Sequence, residues 1–64
     1  MRTGDKIKLT SKLHNWTINQ GYKKNDTGIV KHADENGNCW ARMDKSGKRY
    51  FMAKKEIQMV NSNT

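Results

Sequence analysis

A chain of 64 residues makes one domain, and a domain this small removes only about 60% of its unfolded surface from water, which leaves room for a modest core. Thirteen Lys and Arg against six Asp and Glu give a formal charge of +7, a positive field that draws in polyanions: nucleic acid, an anionic membrane or an acidic protein. A single cysteine excludes an intrachain disulfide, and Cys39, His14 and His32 do not stand at zinc-ligand spacing, so neither a disulfide framework nor a structural zinc is expected.

The apolar stretches are all far shorter than the roughly 20 residues that cross a bilayer, and the N-terminus lacks the apolar core of a signal peptide. The chain therefore reads as soluble, unprocessed and non-membrane. Cys39 reads as a small buried apolar residue, which suits a reduced, cytoplasmic setting.

After a short lead-in, Asp5-Lys6-Ile7-Lys8-Leu9-Thr10 alternates polar and apolar residues. That period predicts a half-buried first strand with Ile7 and Leu9 inward and Lys6 and Lys8 toward water. From Ser11 to Asn25, Leu13, Trp16 and Ile18 could share a helical turn, but Asn15, Asn19, Gly21 and Asn25 interrupt a longer helix. A long folded loop is expected there, with Trp16, Ile18 and Tyr22 capping one end of the core and Lys23-Lys24 at its exit. Such a loop in a small domain is often a binding element.

Asp26 to Ala33 is the second strand, with Gly28 as a point of close backbone approach or a bulge. Alternation from Val30 puts Gly28 and His32 on its inward face and Lys31 outward; His32 and His14 read as barrel-end residues rather than ligands. Asp34-Glu35-Asn36-Gly37 is a turn, and Asn38-Cys39-Trp40-Ala41-Arg42-Met43-Asp44 the third strand. Arg42 and Asp44 resist burial, so Cys39, Ala41 and Met43 are expected inside and Trp40 outside beside Arg42. With the opposite parity Trp40 would fill the core.

Lys45-Ser46-Gly47 makes a tight connection into a fourth strand, Lys48 to Ala53. Placing Phe51 inward sends Lys48, Tyr50 and Met52 to the outer side with Trp40 and Arg42, and leaves Arg49 at the rim with its guanidinium in water. Ala53-Lys54-Lys55-Glu56 reads as one helical turn and Ile57 to Val60 as a short closing strand. The domain is expected to span residues 1–60, with 61–64 a frayed tail.

Five short strands, a long loop after the first and one helical turn before the last describe an all-β, five-stranded SH3-like barrel. Gly4-Asp5-Lys6-Ile7, Thr27-Gly28-Ile29-Val30 and Glu56-Ile57-Gln58-Met59-Val60 resemble the KOW-type SH3-like barrels, in which a strand opening with Gly-Asp precedes a Gly-x-Val strand and a terminal Glu-Ile-x-x-Val segment. For a basic member, that resemblance implies binding to RNA, DNA or polymerase in transcription or translation. Gly28 to Val30, Arg42 to Lys45 and Ala53 to Val60 are also similar to the small stromal subunit of photosystem I, a protein-docking module, although the long loop and Trp40 depart from it. In size and charge the chain is similar in style to small host-directed phage proteins.

The residues point to a nucleic-acid-binding module of low sequence specificity. Trp40 and Tyr50 would stack on bases or sugars among Arg42, Lys48 and Lys31, while Lys23, Lys24, Lys54 and Lys55 would extend the track along a phosphate backbone. The alternative is a protein-interaction module in which Trp40, Tyr50 and Met52 anchor an acidic partner, and an exposed aromatic face also suits a homodimer. The six scattered acids, the missing nucleophile–base set and the missing Gly-rich phosphate loop argue against an enzyme or a cofactor. Asp26, Asp34 and Glu35 read as turn formers.

Overall fold

The computed structural model of the chain describes residues 2–60; the tail expected over 61–64 lies outside them. Five strands, β1 (Lys6–Leu9), β2 (Thr27–Ala33), β3 (Cys39–Met43), β4 (Arg49–Met52) and β5 (Ile57–Met59), form one antiparallel sheet in the order β4-β3-β2-β1-β5. The remaining regular elements are a five-residue helix, α1 (Asn15–Asn19), and a 3-10 turn over Lys54–Glu56. The all-β, five-stranded architecture and the helical turn before the last strand follow the expectation from the sequence.

One face of the sheet carries the core. Ile7 and Leu9 from β1, Val30 from β2, Cys39, Ala41 and Met43 from β3 and Met52 from β4 are buried together with Tyr22. Gly28 lies between Ile7 and Met43 in the ladder. A Cβ there would stand 2.8 Å from the Arg42 carbonyl oxygen and 2.9 Å from Met43 Sδ, so the close approach expected at this glycine is real. Cys39 is buried and unpaired, and burial, reinforced by the charge of Asp34, pushes its thiol pKa up. It behaves as a small apolar core residue.

Parity on β4 is the reverse of the expectation. Met52 is 0% exposed and Phe51 48% exposed, so Met52 and the half-buried Tyr50 face the core while Phe51 and Arg49 face outward. The cause is the length of the β3–β4 turn. Its four residues, Asp44–Gly47, are closed by Met43 N–H to the Lys48 carbonyl at 2.9 Å and Gly47 N–H to the Met43 carbonyl at 2.7 Å, with Gly47 at φ 71°. A three-residue turn would set Trp40 opposite Met52; one more residue moves the register to Trp40 opposite Phe51 and flips every side chain of β4.

The long connection is not wholly irregular, and its apolar residues do not all turn inward. Trp16 and Ile18 are exposed, whereas Thr17 and Tyr22 are buried. The buried carboxylate of Glu56 organises this region. Its Oε2 accepts from Thr17 Oγ1 at 2.6 Å and from the His14 amide at 3.2 Å; its Oε1 accepts from the Ala53 amide at 3.0 Å and lies 3.2 Å from His14 Nδ1. His14, at the N-cap of α1, makes no side-chain cap, and its own amide is taken by a residue 42 positions away. Burial raises the Glu56 pKa, but the hydrogen bonds from Thr17, Ala53 and His14 and the nearby imidazole outweigh it and hold the carboxyl below the ordinary glutamate range.

Candidate functional site

The outer face of β2, β3 and β4 is assembled by three backbone facts. Alternation on β3 turns Trp40 and Arg42 outward, 46% of Trp40 remaining exposed. The β3–β4 register then sets Phe51 opposite Trp40 and Arg49 opposite Arg42. Finally, a register shift between Val30 and His32 interrupts the β2–β3 ladder. Across this bulge Lys31 and His32 are both exposed, and His32 comes to lie opposite Trp40 rather than sharing the inward face of Val30.

Trp40 and Phe51 meet with ring centroids 5.6 Å apart and planes inclined at 64°, an edge-to-face contact. Beside them a cleft of about 790 Å³ is lined by Lys31, His32, Trp40, Gly47, Lys48 and Arg49. Arg42 is held by its own turn, Nε donating to the Gly47 carbonyl at 3.2 Å. Among the described residues the close acid–base contacts are His14–Glu56 and Lys45–Asp26; neither uses Lys31, Arg42, Lys48 or Arg49. Arg42 and Arg49 stand at opposed positions of the β3–β4 ladder, where like charges are destabilising, and neither makes an ion pair among the described residues.

The other expected site residues lie elsewhere. Tyr50 is half-buried, packed edge-on to Tyr22 at 5.2 Å and to Trp16 at 5.5 Å, so it belongs to the core side and not to the Trp40 face. Burial raises the Tyr22 phenol pKa, and its Oη shares a 2.6 Å hydrogen bond with Ser46 Oγ. Lys23 and Lys24 occupy an exposed turn tied by the Lys23 amide to Asp26 Oδ2, beside Lys45. Lys54 lays its stem over Gly37 and donates its amide to Asn38 Oδ1, and Lys54 and Lys55 line a second groove with Lys12 and Ile57.

Of the expected platform, then, the fold brings together Trp40, Arg42, Lys31 and Lys48, replaces Tyr50 by Phe51, and adds Arg49 and His32. The sequence carried a signal for His32: Val30-Lys31-His32-Ala33 sets two polar residues between two apolar ones, a break in the period of two that a bulge produces. Asp34 and Asp26 act as turn formers, Asp34 Oδ1 accepting from the Asn36 and Asn38 amides at 2.9 Å. Among the described residues no three His, Cys, Asp or Glu side chains gather as a metal site, and no helix is long and apolar enough to cross a membrane.

No protein-family model, curated protein or solved structure matches the chain.

Proposed function

We propose that this chain is a non-catalytic, basic module of the SH3-like, KOW-resembling type that binds nucleic acid, DNA or RNA, with low sequence specificity through the outer face of β2, β3 and β4. The observation that carries this reading is Arg42 standing opposite Arg49 in the ladder, neither of them ion-paired among the described residues. Phosphate oxygens relieve such a pair, and each phosphate neutralised releases counterions to the solvent. Lys31 and Lys48 extend the positive surface, and Trp40 and Phe51 supply flat rings for bases or sugars. Charge leads this mode of binding, so affinity is that of non-specific binding, a Kd of about 10⁻⁴–10⁻⁶ M at physiological salt. A reducing, cytoplasmic setting fits the single buried thiol.

The exposed Trp40–Phe51 pair supports a second reading, an anchor for an acidic protein partner with the cations as a steering rim. An amide-shift titration of the whole chain with short single strands, duplexes and a polyanion control, at two salt concentrations, separates the two. Shifts at Lys31, Trp40, Arg42, Arg49 and Phe51 that weaken steeply with salt are expected. No shift with any nucleic acid at low salt overturns the nucleic-acid reading and leaves the protein partner.

A further inference from the structure

We propose that the cleft beside Trp40 receives a single unpaired nucleotide, its base against the indole and its phosphate among Lys31, Lys48 and Arg49, so that the protein prefers single-stranded nucleic acid to duplex. This rests on the nucleic-acid reading above and narrows it to one class of target.

Three features of the cleft carry the inference. The first lies at the cleft's edge: Trp40 lines it and Phe51, outside the lining, packs against the indole at 64°, so the two rings form a corner, not a flat platform. A base lying on one ring meets the other at its edge, a geometry that accepts one splayed base and refuses the side of a continuous stack. In a duplex the base faces are occupied by their neighbours, so duplex can engage only the cations and leaves both rings in water. The second is the bulge. It breaks the ladder between Val30 and His32 and places two consecutive side chains, Lys31 and His32, in the same cleft, where regular alternation would supply one. The third is Gly47. It lines the cleft with no side chain alongside Lys48 and Arg49, so the turn backbone itself can approach a ligand. A volume of about 790 Å³ lies in the range that holds small-molecule ligands, roughly 300–1,000 Å³, whereas an electrostatic surface for duplex needs no cleft.

The test uses the full chain and a labelled ten-nucleotide single strand, the same sequence as duplex, and inorganic polyphosphate, each titrated by anisotropy at 50 and 150 mM salt. The single strand is expected to bind at least ten-fold more tightly than either the duplex or the polyphosphate. Trp40→Ala is expected to weaken single-strand binding by about 5- to 150-fold, the loss of one stacked base, while changing duplex binding less than two-fold. Trp40 is half-exposed, so this variant keeps the fold, which the melting curve verifies. Equal binding of all three polymers, unchanged by Trp40→Ala, overturns the unpaired-nucleotide site and leaves the charge-based reading standing. Failure of both nucleic acids to bind at 50 mM salt overturns that reading and the site with it.

Discussion

Replacing Arg49 by glutamine removes one of two arginines at opposed positions of the β3–β4 ladder, and it should move stability and binding in opposite directions. Directly opposed side chains on an antiparallel pair have Cβ atoms about 5 Å apart, and pair terms there amount to roughly 0.2–1 kcal/mol. Arg42 cannot swing away freely, because its Nε is engaged by the Gly47 carbonyl. Relief of about 0.5 kcal/mol in the free protein raises the melting temperature of a domain this size by about 2–4 °C. The gain belongs to low salt: the Debye length is about 30 Å at 0.01 M and about 3 Å at 1 M, shorter than the separation. On the binding side, four cations on the face, Lys31, Arg42, Lys48 and Arg49, give a slope of log K against log salt near −2.8 for a single strand, at about −0.7 per phosphate. Between 50 and 200 mM salt, affinity should then fall about 50-fold for the parent and about 18-fold for Arg49→Gln, which retains three contacts. Scanning calorimetry at 0.01 and 1 M salt and anisotropy titrations at the two intermediate salts measure both halves. A variant no more stable at low salt, with an unchanged salt slope, would refute the claim that this pair is held open for phosphate.

Met52→Ala should cost about 2–5 kcal/mol by urea unfolding, as for a buried Met elsewhere, while Phe51→Ala costs about 1 kcal/mol, the worth of an exposed aromatic pair; the reverse order would contradict the assigned parity of β4. Glu56→Gln should lower stability at neutral pH by about 2 kcal/mol, because the carboxylate's charged hydrogen bonds to Thr17, Ala53 and His14 are weakened. With a folded pKa below the unfolded one, the Glu56 contribution is complete above the unfolded glutamate pKa and is lost as pH falls through the folded value. Thermal melts of Glu56→Gln should therefore show a flatter acid limb than the parent. Arg42→Lys keeps the charge but loses the planar donor to Gly47, so amide exchange at Gly47 and Lys48 should accelerate several-fold as the turn loosens, a cost of about 1 kcal/mol.

The third strand was legible because its two faces differ in kind: Cys39, Ala41 and Met43 against Trp40, Arg42 and Asp44. Charge decides such a case. On β4 the composition is balanced, Tyr50 and Met52 on one face against Arg49 and Phe51 on the other, and the most apolar residue was a poor guide. What settles it is whether Asp44 belongs to the strand or to the turn, a single-residue question whose answer rests on backbone closure around Gly47. The Glu56 network was illegible for a different reason. Its distant partners lie 39 and 42 positions away, and a glutamate in a helical turn ordinarily reads as solvated; only the folded chain brings the Thr17 hydroxyl and the His14 amide onto it.

A +7 charge by itself is accounted for by solubility. The arrangement on the outer face is not. Solubility is served equally well by cations spaced apart, yet Arg42 and Arg49 are placed opposite each other. It gains nothing from leaving nearly half of Trp40 and Phe51 in water, and nothing from a bulge that gives up regular pairing to bring Lys31 and His32 to one side. Each feature weakens the free sheet a little, and all three fall on the same three strands around one cleft. Trp16 and Ile18 are exposed as well, but Trp16 has Tyr50 against its edge and neither lines the cationic cleft. Unfavourable terms scattered at random over a small domain would not coincide with a group of cations that make no ion pair among the described residues. An anionic ligand carrying flat, unstacked rings would offset all three at once, its phosphate among the cations and its ring against the indole, and this convergence is the physical ground for proposing nucleic acid as the ligand of this face.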